Sequence, residues 1–375
     1  MKNIIVLGSG MVGSAMAIDM ANKHKVTVSD INDKALQNIK EKCNDLSTLQ
    51  LDVTDKAKLK ETLKPFDLVI CAVPGFLGFE TLKAIFEAQK NVIDISFFPE
   101  NSLELDDLAR KNGITAIVDI GVAPGMDNII LGYYNQKFKI DFFECLVGGL
   151  PKVKKWPFNY KAPFSPIDVI EEYTRPARYV ENGKVVTKDP LSDIELIEFE
   201  NVGTLESFNS DGLRTIIDTM SHIPNMKEKT LRYPGHAEYV SVLKASGFFE
   251  KEKVNVNGVE VSPLDFTCKI LFNEWKLGEF EEEITVMRVT LKGEDKQGKR
   301  IEVVYNLHDT YSDKTKTSSM ARTTGYTATA AANLFLDGLF DQKGVFPPEL
   351  IAKENGVFDY FIKYLAERGV VYRND

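Results

Sequence analysis

The sequence has few cysteines for its length, and each stands alone. Four cysteines occur in 375 residues, Cys43, Cys71, Cys145 and Cys268, without the paired spacing of a zinc site or the density of a disulfide framework. Isolated cysteines of this kind are usually buried small apolar side chains. We therefore expect a cytoplasmic protein, in a reducing compartment, with no bound metal.

Long apolar runs are also missing, as is any excess of basic residues. No stretch approaches the roughly 18 apolar residues of a membrane span, and the first apolar run, residues 4–7, passes into glycines rather than into a signal-peptide cleavage site. The formal net charge is −9 at pH 7, and no basic stripe with interleaved aromatic residues offsets it. These absences argue against membrane and nucleic-acid binding and favour a soluble, mature globular chain.

Residues 1–124 alternate short β-branched runs with longer segments of helical period. This alternation predicts an α/β fold, a doubly wound parallel sheet of the Rossmann type. Six strands are predicted, at residues 3–7, 26–29, 48–51, 68–72, 91–94 and 115–119.

The amino-acid composition changes after Pro124, where aromatic residues and prolines become more frequent. Two Asn-Gly pairs, Asn182-Gly183 and Asn257-Gly258, stand between alternating apolar residues and predict hairpins with type I′ turns. Residues 283–291 and 301–307 predict a longer ribbon. We expect an α+β domain with a mixed or antiparallel sheet over residues 125–318, which binds the substrate and mediates dimerisation. Residues 319–375 are expected to form a helical segment that rejoins the first domain.

A glycine-rich loop follows the first predicted strand and opens the first predicted helix. Its sequence is Gly8-Ser9-Gly10-Met11-Val12-Gly13, and this context makes it a dinucleotide-binding motif. Gly8 makes the tight turn, Gly10 lets the backbone approach a pyrophosphate, and Gly13 allows close packing of helix on strand. The helix N-terminus supplies free amides and positive potential. A ligand-free glycine turn is the alternative.

Asp30 ends the second predicted strand, about 20 residues beyond the first glycine. A carboxylate there accepts hydrogen bonds from the adenosine ribose and repels a 2′-phosphate, so NAD is predicted over NADP; a helix cap is the alternative. Because ligands lie outside the carboxyl ends of the strands in such sheets, the residues after the second, third and fourth strands are also expected to contact the cofactor: Ile31, Asp52, Val53, Ala72, Val73 and Pro74.

Several further motifs lie along the chain. They are DIGVAPGMDN at residues 119–128, GGLP at 148–151, LESF at 205–208, TLRYPGH at 230–236 and SMARTTGY at 319–326. Together they resemble the saccharopine dehydrogenase family. The chain length, the Gly-His after Arg-Tyr-Pro and the segment EYTRPAR at 172–178 are most similar to the lysine 6-dehydrogenase branch.

The resemblance implies NAD(P)-dependent oxidation of a C–N bond on a lysine-derived carbon, by an enzyme that is usually a homodimer. In the lysine branch, hydride leaves the ε-carbon of L-lysine, the imine is hydrolysed to release ammonia, and the aldehyde cyclises to a piperideine carboxylate. Saccharopine, the larger lysine–glutarate adduct, is the alternative substrate. A non-catalytic dinucleotide sensor is a third hypothesis.

An amino-acid substrate needs a cationic group for its carboxylate and a base for its amine. Arg214, Arg232 and Arg322 are the predicted clamps because a guanidinium binds a carboxylate bidentately. Asp119 is the first predicted base and His236 the second, because hydride transfer requires an unprotonated nitrogen. Each has a structural alternative: Asp119 as an acceptor for loop amides, His236 as a turn residue and the arginines as ion-pair partners. Tyr160 is predicted to line the pocket mouth or to pack.

Overall fold

A computed structural model describes residues 1–374 and confirms the predicted fold class. Two large sheets organise the chain, and the first is a Rossmann sheet of seven parallel strands. The elements of the N-terminal part are β1 (Asn3–Leu7), α1 (Met11–Ala21), β2 (Lys25–Asp30), α2 (Asp33–Lys42), β3 (Ser47–Gln50), α3 (Lys56–Leu63), β4 (Leu68–Cys71), α4 (Gly75–Glu87), β5 (Val92–Asp94), a 3-10 turn (Ser102–Leu105), α5 (Asp106–Lys111) and β6 (Thr115–Ile117).

The second part of the chain supplies eight strands of a nine-stranded mixed sheet and a separate two-stranded sheet at residues 254–261, with helices packed on them. Its elements are α6 (Met126–Tyr134), β7 (Lys139–Pro151), α7 (Pro166–Thr174), β8 (Ala177–Glu181), β9 (Lys184–Lys188), β10 (Glu195–Phe199), β11 (Gly203–Asn209), α8 (Ile216–Thr219), β12 (Met226–Arg232), α9 (His236–Ala245), β13 (Val254–Val256), β14 (Val259–Val261), α10 (Pro263–Trp275), β15 (Glu283–Glu294) and β16 (Arg300–Thr310). The hairpins β8–β9 and β13–β14 turn at the two predicted Asn-Gly pairs.

The C-terminal segment contributes to both sheets. Its elements are α11 (Ser319–Leu336), β17 (Gly344–Phe346), α12 (Pro348–Ile351), α13 (Val357–Glu367) and β18 (Tyr372–Asn374). Strand β17 pairs in parallel with β6 and adds a seventh strand to the Rossmann sheet, as expected of a segment that rejoins the first domain. Strand β18 instead pairs with β16 of the mixed sheet.

Helix α11 packs against α1 through small side chains. Gly325 approaches so closely that a Cβ there would lie 3.2 Å from Cγ of Met16. Most of α11 is buried, and its run of alanine and threonine residues keeps the two helices close. Helix α1, which begins at the glycine-rich loop, is therefore held in place by α11 of the C-terminal segment.

The strand order of the Rossmann sheet sets the place of a ligand. The order is β17-β6-β5-β4-β1-β2-β3, so the chain reverses its direction of winding between β1 and β4. Residues Ile4 to Leu7 of β1 are fully buried, as expected for a parallel strand covered on both faces. In open α/β sheets the ligand crevice lies outside the carboxyl ends of the strands at such a reversal.

The mixed sheet runs β10-β11-β12-β7-β15-β16-β18, with β8 beside β12 and β9 beside β8. Its central pair, β12 and β7, is parallel and faces the carboxyl edge of the first sheet. No helix within residues 1–374 is long and apolar enough to cross a membrane.

Candidate active site

One cavity of about 1100 Å³ lies between the two sheets. On one side it is lined by the ends of the first four Rossmann strands and on the other by β7, α7 and β12. All of the predicted cofactor-binding residues except Ser9 line it: Gly8, Gly10, Met11, Val12, Gly13, Asp30, Ile31, Asp52, Val53, Ala72, Val73 and Pro74. The contiguous sequence motif and the strand ends thus meet in one place.

The surroundings of the three loop glycines differ in the structure. Gly8 has φ of +104°, and a Cβ there would lie 2.4 Å from the carbonyl oxygen of Ala72. A Cβ on Gly13 would lie 2.1 Å from the carbonyl oxygen of Gly8, so the helix packs on the strand only without a side chain. A Cβ on Gly10 would meet no atom of residues 1–374 within 4 Å. The backbone is therefore open to a ligand at Gly10.

The N-terminus of α1 points its first amides at the cavity. Gly10 caps the helix without a side-chain hydrogen bond among the described residues, and the first intrahelical bond runs from the Ser14 amide to the Gly10 carbonyl at 2.9 Å. Uncapped amides at a helix N-terminus bind phosphate. The residues present therefore fit the pyrophosphate of a dinucleotide.

Asp30 is tied to the same loop. Its Oδ2 accepts hydrogen bonds from the Ser9 amide at 2.8 Å and the Ser9 hydroxyl at 3.0 Å, and its Oδ1 accepts one from the Asn32 amide. Ser9 thus serves the cofactor site by holding Asp30 rather than by lining the cavity. The cap of α2 is Asn32, which accepts from Lys34 and Ala35, so the alternative role of Asp30 as helix cap is excluded.

The side of the cavity at the ends of β2 and β3 carries negative charge. Asp30 and Asp52 both line it, and hydrogen bonds from the Thr54 hydroxyl and amide lower the pKa of Asp52. Among the lining residues before Phe97 in the described chain, none is a lysine or an arginine. Lys58 also lowers the pKa of Asp52 but does not line the cavity, so the two lining carboxylates disfavour a 2′-phosphate and suit a ribose with free hydroxyls.

Of the three arginines predicted to clamp the substrate, only Arg232 lines the cavity. Its Nη2 binds Glu172 at 2.7 Å, its Nε contacts the Tyr173 hydroxyl at 3.3 Å and its Nη1 donates to the Leu231 carbonyl. Because its donors are already used by the protein, Arg232 holds the cavity wall in shape. The Tyr160 hydroxyl accepts from Arg232 at 3.4 Å, and Tyr160 is buried rather than at the pocket mouth.

Arg214 and Arg322 do not line the cavity, and both are structural ion-pair partners. Arg214 binds Asp119 Oδ1 through Nη2 at 3.0 Å and also contacts the Phe98 carbonyl. Arg322 binds Asp309 Oδ2 through Nη1 at 3.0 Å, and its Nη2 donates a hydrogen bond to the Arg368 carbonyl. The prediction of substrate contact failed for these two because residue type alone does not show which guanidinium has a partner across the fold.

The two predicted bases also differ in placement. Asp119 lines the cavity, but its Oδ1 is held by Arg214 in a buried ion pair. His236 does not line the cavity. Its Nδ1 lies 2.9 Å from the Phe158 carbonyl and its Nε2 lies 2.9 Å from the Tyr173 hydroxyl. Since a carbonyl only accepts, Nδ1 carries the proton and Nε2 accepts from Tyr173.

Burial, followed by the charge of Arg232, lowers the pKa of His236 to about 3. The neutral ring has both nitrogens occupied and is out of reach of a ligand in the cavity. His236 is thus a buried hydrogen-bonded residue at the start of α9, close to its predicted structural alternative.

Three cavity residues were not predicted to act on the substrate. The first, Arg175, ends α7 just before Pro176. Its Nη2 binds Glu171 at 3.3 Å and its guanidinium lies 5.0 Å from the Phe97 ring centroid, whereas Nε and Nη1 are buried without a hydrogen-bond partner among residues 1–374. Unpaired buried donors are costly unless a ligand pairs with them. The Arg-Pro pair in EYTRPAR was its only signal in the sequence.

The other two are buried carboxylic acids. Asp168 on α7 accepts from the Gly75 amide at 3.2 Å, and burial raises its pKa to about 6. Burial first, and then the charge of Asp127, raises the pKa of Glu228 on β12. Nothing in the local sequence separates these acids from surface ones, because their burial comes from the packing of distant segments.

The substrate side of the cavity is lined by more carboxylic acids than cationic side chains. Three lining residues there are cationic, Arg175, Arg232 and Lys276. Six are carboxylic acids: Asp119, Asp168, Glu171, Glu172, Asp211 and Glu228. Four of the six acids are in ion pairs, Asp119 with Arg214, Glu171 with Arg175, Glu172 with Arg232 and Asp211 with Arg178, so most of this negative charge is balanced within the protein.

Two family models match most of the chain. The model described as the saccharopine dehydrogenase NADP binding domain matches residues 4–117, and that of the saccharopine dehydrogenase C-terminal domain matches residues 121–370. Their boundary falls in the Gly121 to Gly125 loop, where the chain leaves the Rossmann strands for α6.

Similar curated proteins are known from mammals, fungi and bacteria. The rat mitochondrial alpha-aminoadipic semialdehyde synthase is 23% identical over 99% of this chain and 47% of its own length, so the chain spans about half of that relative. The saccharopine dehydrogenase [NADP(+), L-glutamate-forming] of Schizosaccharomyces pombe is 24% identical over 93% of this chain and 94% of its own. The carboxynorspermidine synthase of Vibrio alginolyticus is 23% identical over 92% and 91%.

A solved structure shares the fold along the whole chain. The apo saccharopine dehydrogenase (L-Glu forming) of Saccharomyces cerevisiae superposes with a TM-score of 0.79 at 22% identity, covering 100% of this chain and 99% of that one. The two-sheet architecture is therefore common to both proteins.

Proposed function

Because this chain belongs to the saccharopine dehydrogenase family, we propose that it is an NAD-dependent dehydrogenase that oxidises the ε C–N bond of L-lysine. The observation that carries the proposal is Arg175, which lines the substrate side of the cavity and has Nε and Nη1 unpaired among residues 1–374. L-lysine supplies one carboxylate for this guanidinium.

The cofactor preference rests on the charge near the adenosine. Three fungal relatives are named for NADP(+), and a 2′-phosphate generally requires a cationic partner. Asp30 and Asp52 supply the opposite charge in this chain. We therefore assign NAD, with the pyrophosphate at the amides of Gly10 and of the first turn of α1.

Arg175 is our choice for the group that binds the substrate carboxylate. Its Nε and Nη1 are buried and unpaired, and two parallel N–H groups match the geometry of a carboxylate. Saccharopine carries three carboxylates and would need further unpaired cations. Arg232 already binds Glu172 and Tyr173, which leaves Lys276 as a second lining cation, so saccharopine stays the alternative substrate.

The chemistry follows from this placement. The dinucleotide, when bound, accepts a hydride from the substrate carbon. The residues of the cavity hold the carboxylate at Arg175, and the reacting amine lies in the same cavity as the glycine-rich loop. Water then adds to the substrate imine, ammonia leaves, and the resulting aldehyde cyclises onto the α-amine.

A substrate panel tests the proposal. Purified protein is incubated at alkaline pH with NAD or NADP and with L-lysine or saccharopine, and reduced cofactor is followed by absorbance. We expect reduction of NAD by L-lysine. Turnover of saccharopine without turnover of lysine would assign the alternative substrate, and tight NADH binding without turnover of either would assign a dinucleotide sensor.

We also propose that the protein is a cytoplasmic homodimer. The four cysteines are free thiols, which supports a reducing compartment. Helices α9 and α10 expose the apolar side chains of Tyr239, Val242, Phe266 and Ile270, which a second subunit would cover. Light scattering after gel filtration gives the mass that decides between one and two chains.

A further inference from the structure

The guanidinium of Arg175 has little hydrogen bonding to hold it in place. Its side chain makes one hydrogen bond among residues 1–374, from Nη2 to Glu171 at 3.3 Å. Glu171 lies four residues earlier on α7, and its side chain is 34% exposed. Ion pairs of this kind along one helix are weak, whereas a free arginine side chain has many rotamers to lose. Another contact must therefore order this guanidinium.

An aromatic ring from the first domain supplies that contact. Phe97 follows β5, and its ring centroid lies 5.0 Å from the guanidinium carbon of Arg175. This separation is within the range over which the negative face of a ring attracts a cation. Both residues line the cavity, and Phe97 is partly buried. The attraction is thus partly shielded from water, which strengthens it.

A ring contact orders a guanidinium without occupying its donors. The face of a phenyl ring has no oxygen to accept a hydrogen bond, so the N–H groups stay available. Arg232 and Arg214 are held differently, by hydrogen bonds to the carboxylates of Glu172 and Asp119. Nε and Nη1 of Arg175 have no partner among residues 1–374. The aromatic contact is therefore the one suited to a guanidinium that binds a ligand.

Phe97 is itself fixed by its neighbours. The guanidinium carbon of Arg214 also lies 5.0 Å from the Phe97 centroid, and Arg214 is held by Asp119 and by the Phe98 carbonyl. A Cβ on Gly75 would lie 2.3 Å from the Phe97 carbonyl oxygen, so the backbone of Phe97 packs directly on the start of α4. The ring thus has a set position beside the carboxyl ends of the Rossmann strands.

We propose that Phe97 is a positioning residue that holds Arg175 in place for the substrate carboxylate, an assignment that rests on the proposed function. Phe97 belongs to the domain that matches the dinucleotide-binding model, whereas Arg175 belongs to the domain that matches the C-terminal model. The contact therefore places the group that binds the carboxylate relative to the half of the cavity that binds the cofactor.

Fluorination of the ring tests the proposal, because it weakens the negative face and nearly keeps the shape. Phe97 is replaced by 3,4,5-trifluorophenylalanine through suppression of a stop codon, and steady-state kinetics are measured with NAD and either L-lysine or pentane-1,5-diamine, which has no carboxylate. We expect the KM for lysine to rise about 3- to 30-fold. The kcat for lysine and both constants for the diamine should stay at the wild-type values.

Phe98 is the matched control in the same chain. Its ring centroid lies 5.3 Å from the Arg214 guanidinium carbon, and within residues 1–374 its ring has no cation–π contact with Arg175. The same replacement at Phe98 should leave the KM for lysine unchanged, and it reports any effect that passes through Arg214. Phe97→Leu removes the ring face completely and should raise the KM for lysine at least as much as fluorination does.

The possible outcomes separate this role from the proposed substrate. An unchanged KM for lysine in the fluorinated Phe97 protein, or an equal rise with the diamine, would overturn the role of Phe97 alone. If the wild type oxidises saccharopine and not lysine, the proposed substrate is wrong, and the KM for saccharopine decides the role of Phe97 by the same criterion. Turnover of neither substrate would overturn both.

Discussion

The carboxylate of Asp30 accepts a 2.8 Å hydrogen bond from the backbone amide of Ser9. The acid at the end of β2 is thus fixed to the glycine-rich loop after β1, and two neighbouring strands present the cofactor site as one unit. One loop amide is consumed by this contact. The uncapped amides at the start of α1 remain for a pyrophosphate.

Substitution of Asp30 should change cofactor selectivity and affinity together. In Asp30→Asn the repulsion of a 2′-phosphate is removed and the charged hydrogen bond to Ser9 is weakened, so the KM for NAD should rise about 10- to 100-fold while the preference for NAD over NADP falls. Steady-state kinetics with both cofactors measures the change. Asp33→Asn, an exposed acid in the first turn of α2, is the control, and unchanged selectivity in Asp30→Asn would refute the assignment.

Loss of Arg175 should affect only substrates that carry a carboxylate. Arg175→Ala removes the unpaired Nε and Nη1, and kcat/KM for L-lysine should fall by about 10- to 100-fold, chiefly through KM. Pentane-1,5-diamine, which is lysine without its carboxylate, should be oxidised equally by both proteins. Arg110→Ala removes an exposed guanidinium and serves as control. An equal loss with lysine and diamine would mean that Arg175 supports the fold instead.

The fold was predictable because its signals are local and repeated. Period-two and period-3.6 patterns identified the six strands up to residue 119, and Asn-Gly pairs identified the hairpins. Strands β17 and β18 have three residues each and were not predicted, because no turn signal marks them as the Asn-Gly pair marks the equally short β13 and β14. A segment that short has no period, and only its pairing with β6 or β16 makes it a strand.

The two halves of the site differed in predictability for a similar reason. The cofactor loop is contiguous in sequence, and its glycines act through the backbone. The substrate side depends on pairs of distant residues: Arg214 and Arg175 are the same residue type, yet Arg214 meets Asp119 across 95 positions while Arg175 keeps two donors unpaired. Which guanidinium remains available is a property of the packed structure.

The buried His236 predicts a pH dependence of stability rather than of catalysis. Its pKa falls from an ordinary 6.5 to about 3 on folding, so the unfolded chain binds the extra proton between those values. Stability should therefore decrease as the pH falls below about 6.5, at up to about 1.4 kcal/mol per pH unit for this group. The buried acids Asp94 and Asp127, whose pKa values rise to about 7, act in the opposite direction in the same window.

Comparison with His236→Gln isolates this contribution, because the acids remain in both proteins. Urea unfolding from pH 7.5 to pH 4 should show the variant less stable at pH 7.5, where it loses a buried hydrogen-bonded group. The difference should shrink as the pH falls. The pH profile of kcat/KM should keep the same limbs in both proteins, and a limb that disappears in His236→Gln would restore the histidine as a base.

Substitution of Gly212 should displace the carboxyl group of Glu228, and both residues line the cavity. The absent side chain of Gly212 leaves room for the Glu228 carboxylate, and the added Cβ of Gly212→Ala would lie 2.0 Å from Oε1 and 2.1 Å from Cδ. The carboxyl group must move, since overpacking of this kind costs about 1–3 kcal/mol. We expect at least a tenfold loss of kcat with NADH affinity unchanged, measured by turnover and by fluorescence titration. Gly278→Ala, whose Cβ would make only ordinary 3.4 Å contacts, is the matched control. Wild-type turnover in Gly212→Ala would show that the position of Glu228 does not matter for the reaction.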